Sequence, residues 1–178
     1  MKRLTLLRHA KSSWDDPVQR DFDRPLNARG LKAARTMGRW MEQEGLRFDH
    51  VVASPAVRVV ETLDGLWEGY GQTLKPVWDR RIYLASGVNL LDVLRELPPA
   101  ANHVLIAGHN PGIEDLVLML VPDREGDALR DCVEEKYPTA AVATIDFDGD
   151  WAALEPREGH LVRFVRPRDL DPALGPDS

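Results

Sequence analysis

The chain has 178 residues, of which 43% are hydrophobic and 29% charged, and its formal net charge is −6. This length suits one domain, and the balance is that of a globular protein rather than a disordered one. The acidic excess leaves no broad basic face, which argues against nucleic acid or an anionic membrane as a partner. The only cysteine, Cys132, excludes an internal disulfide and a multi-cysteine metal site. With no apolar run of about 20 residues and no secretory signal, we expect a soluble, cytoplasmic protein.

Apolar runs along the chain predict six strands. They lie at 3–8, 50–54, 75–78, 103–108, 140–147 and 161–166. Between the first two strands, residues 9–26 form a long polar loop that is rich in Asp and Arg. Long loops inside compact domains are usually functional, so this loop is a place to look for chemistry.

Helices are predicted between the strands. Asn27 caps the first helix and Gly45 stops it. Ser54-Pro55 and Asn110-Pro111 each start a further helix, because a capping residue followed by proline is typical of a helix N-terminus. A fourth helix is expected over 89–97, and residues 122–137 are expected to be irregular or partly helical.

The repeated strand-then-helix units predict a three-layer α/β/α sandwich with a mostly parallel central sheet. We expect one domain over 1–166. The polar, proline-containing segment 167–178 is expected to be a flexible C-terminal tail.

Three predicted strands end in polar residues. The first ends in Arg8-His9, the second is followed by Ser54 and Arg58, and the strand over 103–108 is followed by His109. Ligands of open α/β sheets bind at the carboxyl ends of the strands, so these side chains are expected to converge. Arginine guanidinium groups and helix N-termini together favour a phosphoryl group as the ligand.

A histidine among such donors can take a phosphoryl group onto a ring nitrogen before water removes it. The cationic neighbours disfavour an imidazolium, so we expect His9 to be neutral and nucleophilic near pH 7. Phosphoryl transfer depends mainly on positioning and charge stabilisation, and the predicted site supplies both.

The same segments resemble a known family. The runs LLRHAKS (6–12), SPAVR (54–58) and GHNPGIEDL (108–116) match, in order and spacing, the blocks of the histidine phosphatase superfamily, which has the phosphoglycerate mutase-like fold. By this resemblance His9 is the phosphorylated nucleophile, and Arg8, Arg58 and His109 complete the phosphate pocket. The resemblance also implies that the protein uses no metal and no organic cofactor.

Further runs resemble the SixA-like phosphohistidine phosphatases within that superfamily. They are DFDRPLNARG (21–30), IYLAS (82–86) and KYPTAAVATIDF (136–147). This subgroup lacks the lid insertions of its relatives, and the short segment between 58 and 103 leaves no room for one. The resemblance implies a phosphorylated protein histidine as substrate, on a partner domain that could belong to a phosphorelay in signal transduction.

The sequence departs from the superfamily in one position. Many members have a glutamate before the segment that corresponds to Ile82-Tyr83, and it protonates the leaving oxygen. Here the local sequence is WDRRIY, in which Asp79 is the only nearby acid. Since imidazole is a much better leaving group than an alkoxide, this departure favours phosphohistidine as the substrate.

Two other functions are left open. A broader small-molecule phosphomonoesterase would need Asp79 or Glu114 as its general acid, whereas a non-catalytic phosphate-binding module would need the arginines but no nucleophile. Ser12 is expected either to touch phosphate or to order the long loop.

For five other polar residues we expect structural roles. Asp23, Arg24 and Asn27 should order the long loop and cap the helix, and Ser54 and Asn110 should cap helices.

Overall fold

A computed structural model describes residues 1–175 of the chain, and it contains six strands and six α-helices within that range. The strands are β1 (Lys2–Arg8), β2 (His50–Ala53), β3 (Val77–Trp78), β4 (His103–Gly108), β5 (Val142–Phe147) and β6 (His160–Val165). The helices are α1 (Ala28–Gln43), α2 (Val57–Tyr70), α3 (Gly87–Arg95), α4 (Gly112–Leu120), α5 (Ala128–Glu135) and α6 (Pro167–Leu170).

The strands form one sheet in the order β3-β2-β4-β1-β5-β6. The pairs β1–β4, β2–β4 and β2–β3 are parallel, whereas β5 is antiparallel to both β1 and β6. Every strand except β5 therefore points the same way. The predicted mostly parallel sheet is confirmed, and the carboxyl ends of β1, β2 and β4 lie at one edge.

Two hydrophobic cores cover the two faces of this sheet, which gives the three predicted layers. On one face, Leu4 and Leu6 pack with the buried residues of α3, α4 and α5. On the other face, Leu7 and Leu105 pack with α1 and α2. The alternation arises because successive side chains of a strand point to opposite faces.

The first helix begins and ends as predicted. The side-chain Oδ1 of Asn27 accepts a hydrogen bond from the amide of Gly30 at 2.8 Å. Gly45, just after the helix, has φ of 70°, a left-handed conformation that glycine adopts at little cost. Residues 122–137, expected to be irregular or partly helical, contain α5, whose N-terminus is capped by Asp127.

Residues 167–175 of the segment expected to be a flexible tail form α6 and a 3-10 turn at Pro172–Leu174. Asp169 accepts a hydrogen bond from the amide of Arg166 at 2.9 Å, which fixes the start of α6. Leu174 is buried in the core beside α1 and α2. Leu170 packs against the same core, and these two apolar contacts hold the segment onto the domain. The remaining part of the predicted tail, 176–178, lies outside the described residues.

The segment between α2 and β4 contains few elements of secondary structure. Residues 71–102, all of which the structure describes, contain only β3, a 3-10 turn at Arg80–Ile82 and α3. No helical subdomain is inserted at this point of the chain, in agreement with the prediction. Within residues 1–175, no helix is both long enough and apolar enough to cross a bilayer.

Helices α1 and α2 cross at close range, and we expect the substitution Gly38→Ala to destabilise the protein. A Cβ at Gly38 would lie 2.0 Å from the carbonyl oxygen of Leu66, so the two helices would have to separate. The loss should be about 1–3 kcal/mol, although alanine is the better helix former. Urea denaturation would measure it, with Glu42→Ala on the exposed face of α1 as control. An alanine variant as stable as the wild type would contradict the close packing.

Candidate active site

The register between β1 and β4 brings two histidines together. Arg8 is level with Gly108 in the parallel pair, and the amide of His9 donates to the carbonyl of Gly108 at 3.0 Å. The residues that follow the two strands are therefore neighbours. The rings of His9 and His109 have their centroids 5.4 Å apart, and the two residues are only 8% and 3% exposed.

A backbone contact fixes the tautomer of His9. Its Nδ1 lies 2.7 Å from the carbonyl oxygen of Ala10. A carbonyl oxygen only accepts hydrogen bonds, so Nδ1 carries the proton and Nε2 of the neutral ring carries a lone pair. The amide of Ala10 in turn donates to Oγ1 of Thr62 at 2.9 Å, which anchors this turn of the chain to α2. The atom left for chemistry is Nε2.

Two effects keep His9 neutral, its burial and the positive charges of nearby arginines. Burial lowers the pKa of His9 to about 3, against a raising effect of the hydrogen bond to Ala10. The charges of Arg58 and Arg8 lower the pKa further. Neutrality near pH 7 agrees with the sequence-based expectation, but desolvation is a larger cause than the cationic neighbours on which that expectation depended.

His109 contacts a serine hydroxyl through one of its ring nitrogens. Its Nε2 lies 2.8 Å from Oγ of Ser54, and this hydroxyl oxygen already accepts from the amide of Ala56 at 3.3 Å. A hydroxyl oxygen has two lone pairs, so Oγ of Ser54 can either donate its proton to Nε2 of His109 or accept a proton from it. Nδ1 is buried and has no hydrogen-bond partner among residues 1–175. Burial, followed by the proximity of His9 and Arg58, lowers the pKa of His109 to about 3.

The contacts of Ser54 and Asn110 differ from the simple helix caps expected. Ser54 bonds to His109 and to the amide of Ala56, which precedes α2, so it orients a site residue rather than capping the helix. Asn110 does satisfy a first-turn amide, that of Glu114 at 3.2 Å. Its Nδ2 also donates to the carbonyl of Tyr137 at 3.2 Å.

The two predicted arginines are held by loop backbone. Nη1 of Arg8 donates to the carbonyl of Tyr137 at 2.8 Å. Nη1 of the buried Arg58 donates to the carbonyl of Asp21 at 2.7 Å, and its Nη2 donates to Oδ2 of Asp21 at 3.0 Å. Nε of Arg58 is buried without a hydrogen-bond partner in the described part of the chain.

Asp21 was not predicted from the sequence, yet it connects most of the site. Besides Arg58, its carboxylate accepts from Arg24 at 3.1 Å and from the hydroxyl of Tyr83 at 2.6 Å. Burial raises the pKa of Asp21, but the hydrogen bonds from Tyr83, Arg24 and Arg58 outweigh this effect and lower it to about 2. The spacing of Asp21 and Arg24, three residues apart in a short helical turn, was the available signal.

These residues line one cleft of about 440 Å³ at the carboxyl edge of the sheet. The described residues around it are Arg8, His9, Lys11, Ser12, Trp14, Asp21, Arg24, Arg58, Leu84, His109, Asn110 and Thr139. Four cationic side chains face a single carboxylate, so the potential in the cleft favours an anion. The four residues on which the sequence prediction depended all lie in this lining.

Of the three residues predicted as weaker site candidates, Ser12 lies in the cleft, whereas Asp79 and Glu114 do not line it. Ser12 lines the cleft and its hydroxyl oxygen accepts a hydrogen bond from Arg24, so it orders the loop and stands within the site. Asp79 instead bonds to Arg81 at 2.8 Å, and the hydrogen bonds from Arg81 lower its pKa. Neither Asp79 nor Glu114 is among the described residues of the lining. No three potential metal ligands converge anywhere in residues 1–175.

Comparisons with known proteins identify the family of the chain. A profile of the histidine phosphatase superfamily (branch 1) matches residues 4–81. An uncharacterized protein of Mycobacterium tuberculosis is 31% identical over 163 residues, which make up 91% of this chain and 100% of that one. The profile match, together with the solved structures described below, shows that the chain belongs to the histidine phosphatase superfamily, and this membership supports a phosphatase hydrolase activity.

Solved structures place the fold within that superfamily. A candidate SixA phosphohistidine phosphatase from Nakamurella multipartitia is 26% identical, with a TM-score of 0.80 over 93% of this chain and 96% of that chain. Another, from Agrobacterium tumefaciens, is also 26% identical, with a TM-score of 0.77 over 93% of this chain and 98% of that one. The fold is thus the phosphoglycerate mutase-like fold in the small form of the SixA proteins, as the motifs predicted.

The buried histidines should make the protein less stable as the pH falls from about 6.5 towards 3. In this window an unfolded histidine binds a proton, whereas His9, with its pKa of about 3, does not. For each pH unit by which the pH falls, each such histidine lowers the free energy of unfolding by up to about 1.4 kcal/mol. The substitution His9→Gln should remove that share of the slope in urea denaturation between pH 7 and 5. His160→Gln, at an exposed position, is the matched control. A His9→Gln variant with the wild-type slope would mean that folded His9 is protonated.

Proposed function

We propose that this protein is a phosphohistidine phosphatase that removes the phosphoryl group from a phosphorylated histidine of a partner protein. The observation that carries the proposal is the lone pair on Nε2 of His9, set in a cleft whose charges favour an anion. The proposed reaction has two steps, with a phosphohistidine on His9 as the intermediate. We expect it to take place in the cytoplasm, where a phosphorelay would supply the substrate.

In the first step Nε2 of His9 attacks phosphorus, and the bond between phosphorus and the substrate's imidazole nitrogen breaks. Arg8 and Arg58 neutralise the charge on the phosphoryl oxygens, and Nδ1–H of His109 donates to one of them. A substrate ring that is protonated on its other nitrogen departs as neutral imidazole. In the second step water attacks phosphorus, and His9 is released with inorganic phosphate.

The substrate class follows from the acids of the site. An alkoxide leaving group needs a proton donor, but Asp21, the only carboxylate of the described lining, has a pKa lowered to about 2. Asp79 is paired with Arg81 outside the lining. An imidazole leaving group needs no acid from the protein. This supports phosphohistidine over sugar or alkyl phosphates, and it weighs against the alternative phosphomonoesterase.

The substrate preference can be measured with the wild-type protein. We expect kcat/KM for a phosphohistidine-bearing protein domain to exceed that for glycerol phosphate by at least about a hundredfold, because only the ester requires protonation of its leaving group. Release of inorganic phosphate at pH 7 measures both rates. Preference for the ester would overturn the substrate assignment and leave the fold untouched.

The intermediate can be trapped on the protein. Rapid quenching in alkali after mixing with phosphohistidine substrate should yield phosphate bound to His9, detectable by mass spectrometry of the peptide. His9→Gln should lose the adduct and at least about a thousandfold in turnover, as expected when a nucleophile is removed. His160→Gln should retain both. Undiminished turnover in His9→Gln would exclude this nucleophile, and binding without turnover in the wild type would indicate a phosphate-binding module.

A further inference from the structure

Two apolar side chains stand out in a lining that is otherwise polar or charged. They are Trp14, which is 74% exposed, and Leu84, which is 59% exposed. Single exposed apolar residues are ordinary, but these two border the same cleft from separate loops, one before α1 and one before α3. Their exposure places them at its solvent-facing mouth rather than at its buried floor, where His9 and His109 lie.

The indole ring of Trp14 packs against Arg24, a residue that also lines the cleft. The guanidinium carbon of Arg24 lies 3.6 Å from the centroid of the indole ring, a cation–π contact. Arg24 is buried and is held by Ser12 and by Asp21. The indole therefore rests on a fixed base and still offers most of its surface to solvent. Such a ring can stack on a flat, partly apolar group without first having to be ordered.

Leu84 is held in position by its backbone. Its φ is 53°, in the left-handed region that leucine rarely adopts. Such conformations persist where the neighbouring structure fixes them, and they cluster at ligand sites. Here Tyr83 on one side bonds to Asp21 at 2.6 Å, and Ala85 on the other side is buried. Glycine would adopt this conformation at less cost than leucine, so the turn is strained while it presents the leucine side chain to the cleft.

The direction of phosphoryl transfer determines which part of the substrate lies next to Trp14 and Leu84. The attacking and leaving atoms are roughly in line through phosphorus. With Nε2 of His9 at the buried floor, the leaving group points outward, toward the mouth. Trp14 and Leu84 are the apolar surfaces that the described residues present there.

We propose that Trp14 and Leu84 form an apolar rim that binds the leaving group of the substrate and selects a flat ring over a small or hydrated group. This inference rests on the proposed function and adds to it the residues that recognise the imidazole. Stacking on Trp14 and contact with Leu84 remove apolar surface of the ring from water. A sugar, whose hydroxyl groups need hydrogen-bond partners, would lose them against this rim.

The test compares two substrates that share the same phosphorus–nitrogen bond. Phosphohistidine carries the ring, whereas phosphoramidate releases ammonia and carries none. In Trp14→Ala and in Leu84→Asn, which keeps the left-handed turn, the ratio of kcat/KM for phosphohistidine over phosphoramidate should fall about tenfold. Trp14→Phe should recover most of the ratio. Val18→Ala, an exposed apolar position of the same loop outside the described lining, is the matched control.

The outcomes separate this inference from the function on which it rests. A ratio that stays at the wild-type value in both variants, while the wild type hydrolyses phosphohistidine, would overturn the rim alone. An equal loss on both substrates would also overturn it, because Trp14 would then act only by supporting Arg24. A wild type that does not hydrolyse phosphohistidine would overturn the proposed function, and the rim with it.

Discussion

The site depends on one pairing, between the ends of β1 and β4. The amide of His9 donates to the carbonyl of Gly108, and this register sets His9 and His109 side by side at the sheet edge. A slip of one residue would turn each side chain of β1 to the opposite face of the sheet. Leu4 and Leu6 would then leave the core against α3, α4 and α5, so hydrophobic packing along the strand protects the geometry of the site at its end.

Burial makes a reactive pair from two ordinary imidazoles. Desolvation lowers the pKa of both rings, so neither competes for a proton near neutral pH. Each ring has one nitrogen held by a different partner, Nδ1 of His9 by the carbonyl of Ala10 and Nε2 of His109 by the hydroxyl of Ser54. Because a carbonyl oxygen only accepts hydrogen bonds, the neutral ring of His9 carries its lone pair on Nε2. Under the proposed function, His9 is the nucleophile and His109 binds the phosphoryl group, although the two side chains are chemically identical.

The long loop between β1 and α1 adds a second layer to the pocket. Asp21 joins Arg58, Arg24 and Tyr83, which come from three different parts of the chain. A single carboxylate thereby fixes the positions of the two arginines relative to one another. The same network fixes Trp14 through Arg24 and Leu84 through Tyr83. The hydrogen bonds of Asp21 therefore connect Arg58, which lines the cleft, with the loops that carry Trp14 and Leu84.

The features that could be predicted from the sequence are those with a local cause. The apolar run over 103–108 coincides with β4, and polar residues directly after strands pointed to His9 and His109 because strand ends share an edge. Asp21, Tyr83 and Leu84 were missed, since their roles depend on how loops fold over that edge. Leu174 was missed because one apolar residue in a polar segment has no periodicity, and only the tertiary contact with the α1–α2 layer reveals its anchoring role.

A crystal structure of the protein soaked with orthovanadate would test most directly whether Nε2 of His9 is the reacting atom. Vanadate accepts a nitrogen ligand in the geometry that phosphorus passes through. We expect vanadium bonded to Nε2 of His9, with vanadate oxygens within hydrogen-bond distance of Arg8, Arg58 and Nδ1 of His109. Vanadate bonded to another atom, or an empty cleft in crystals of protein that still releases phosphate, would contradict the assignment.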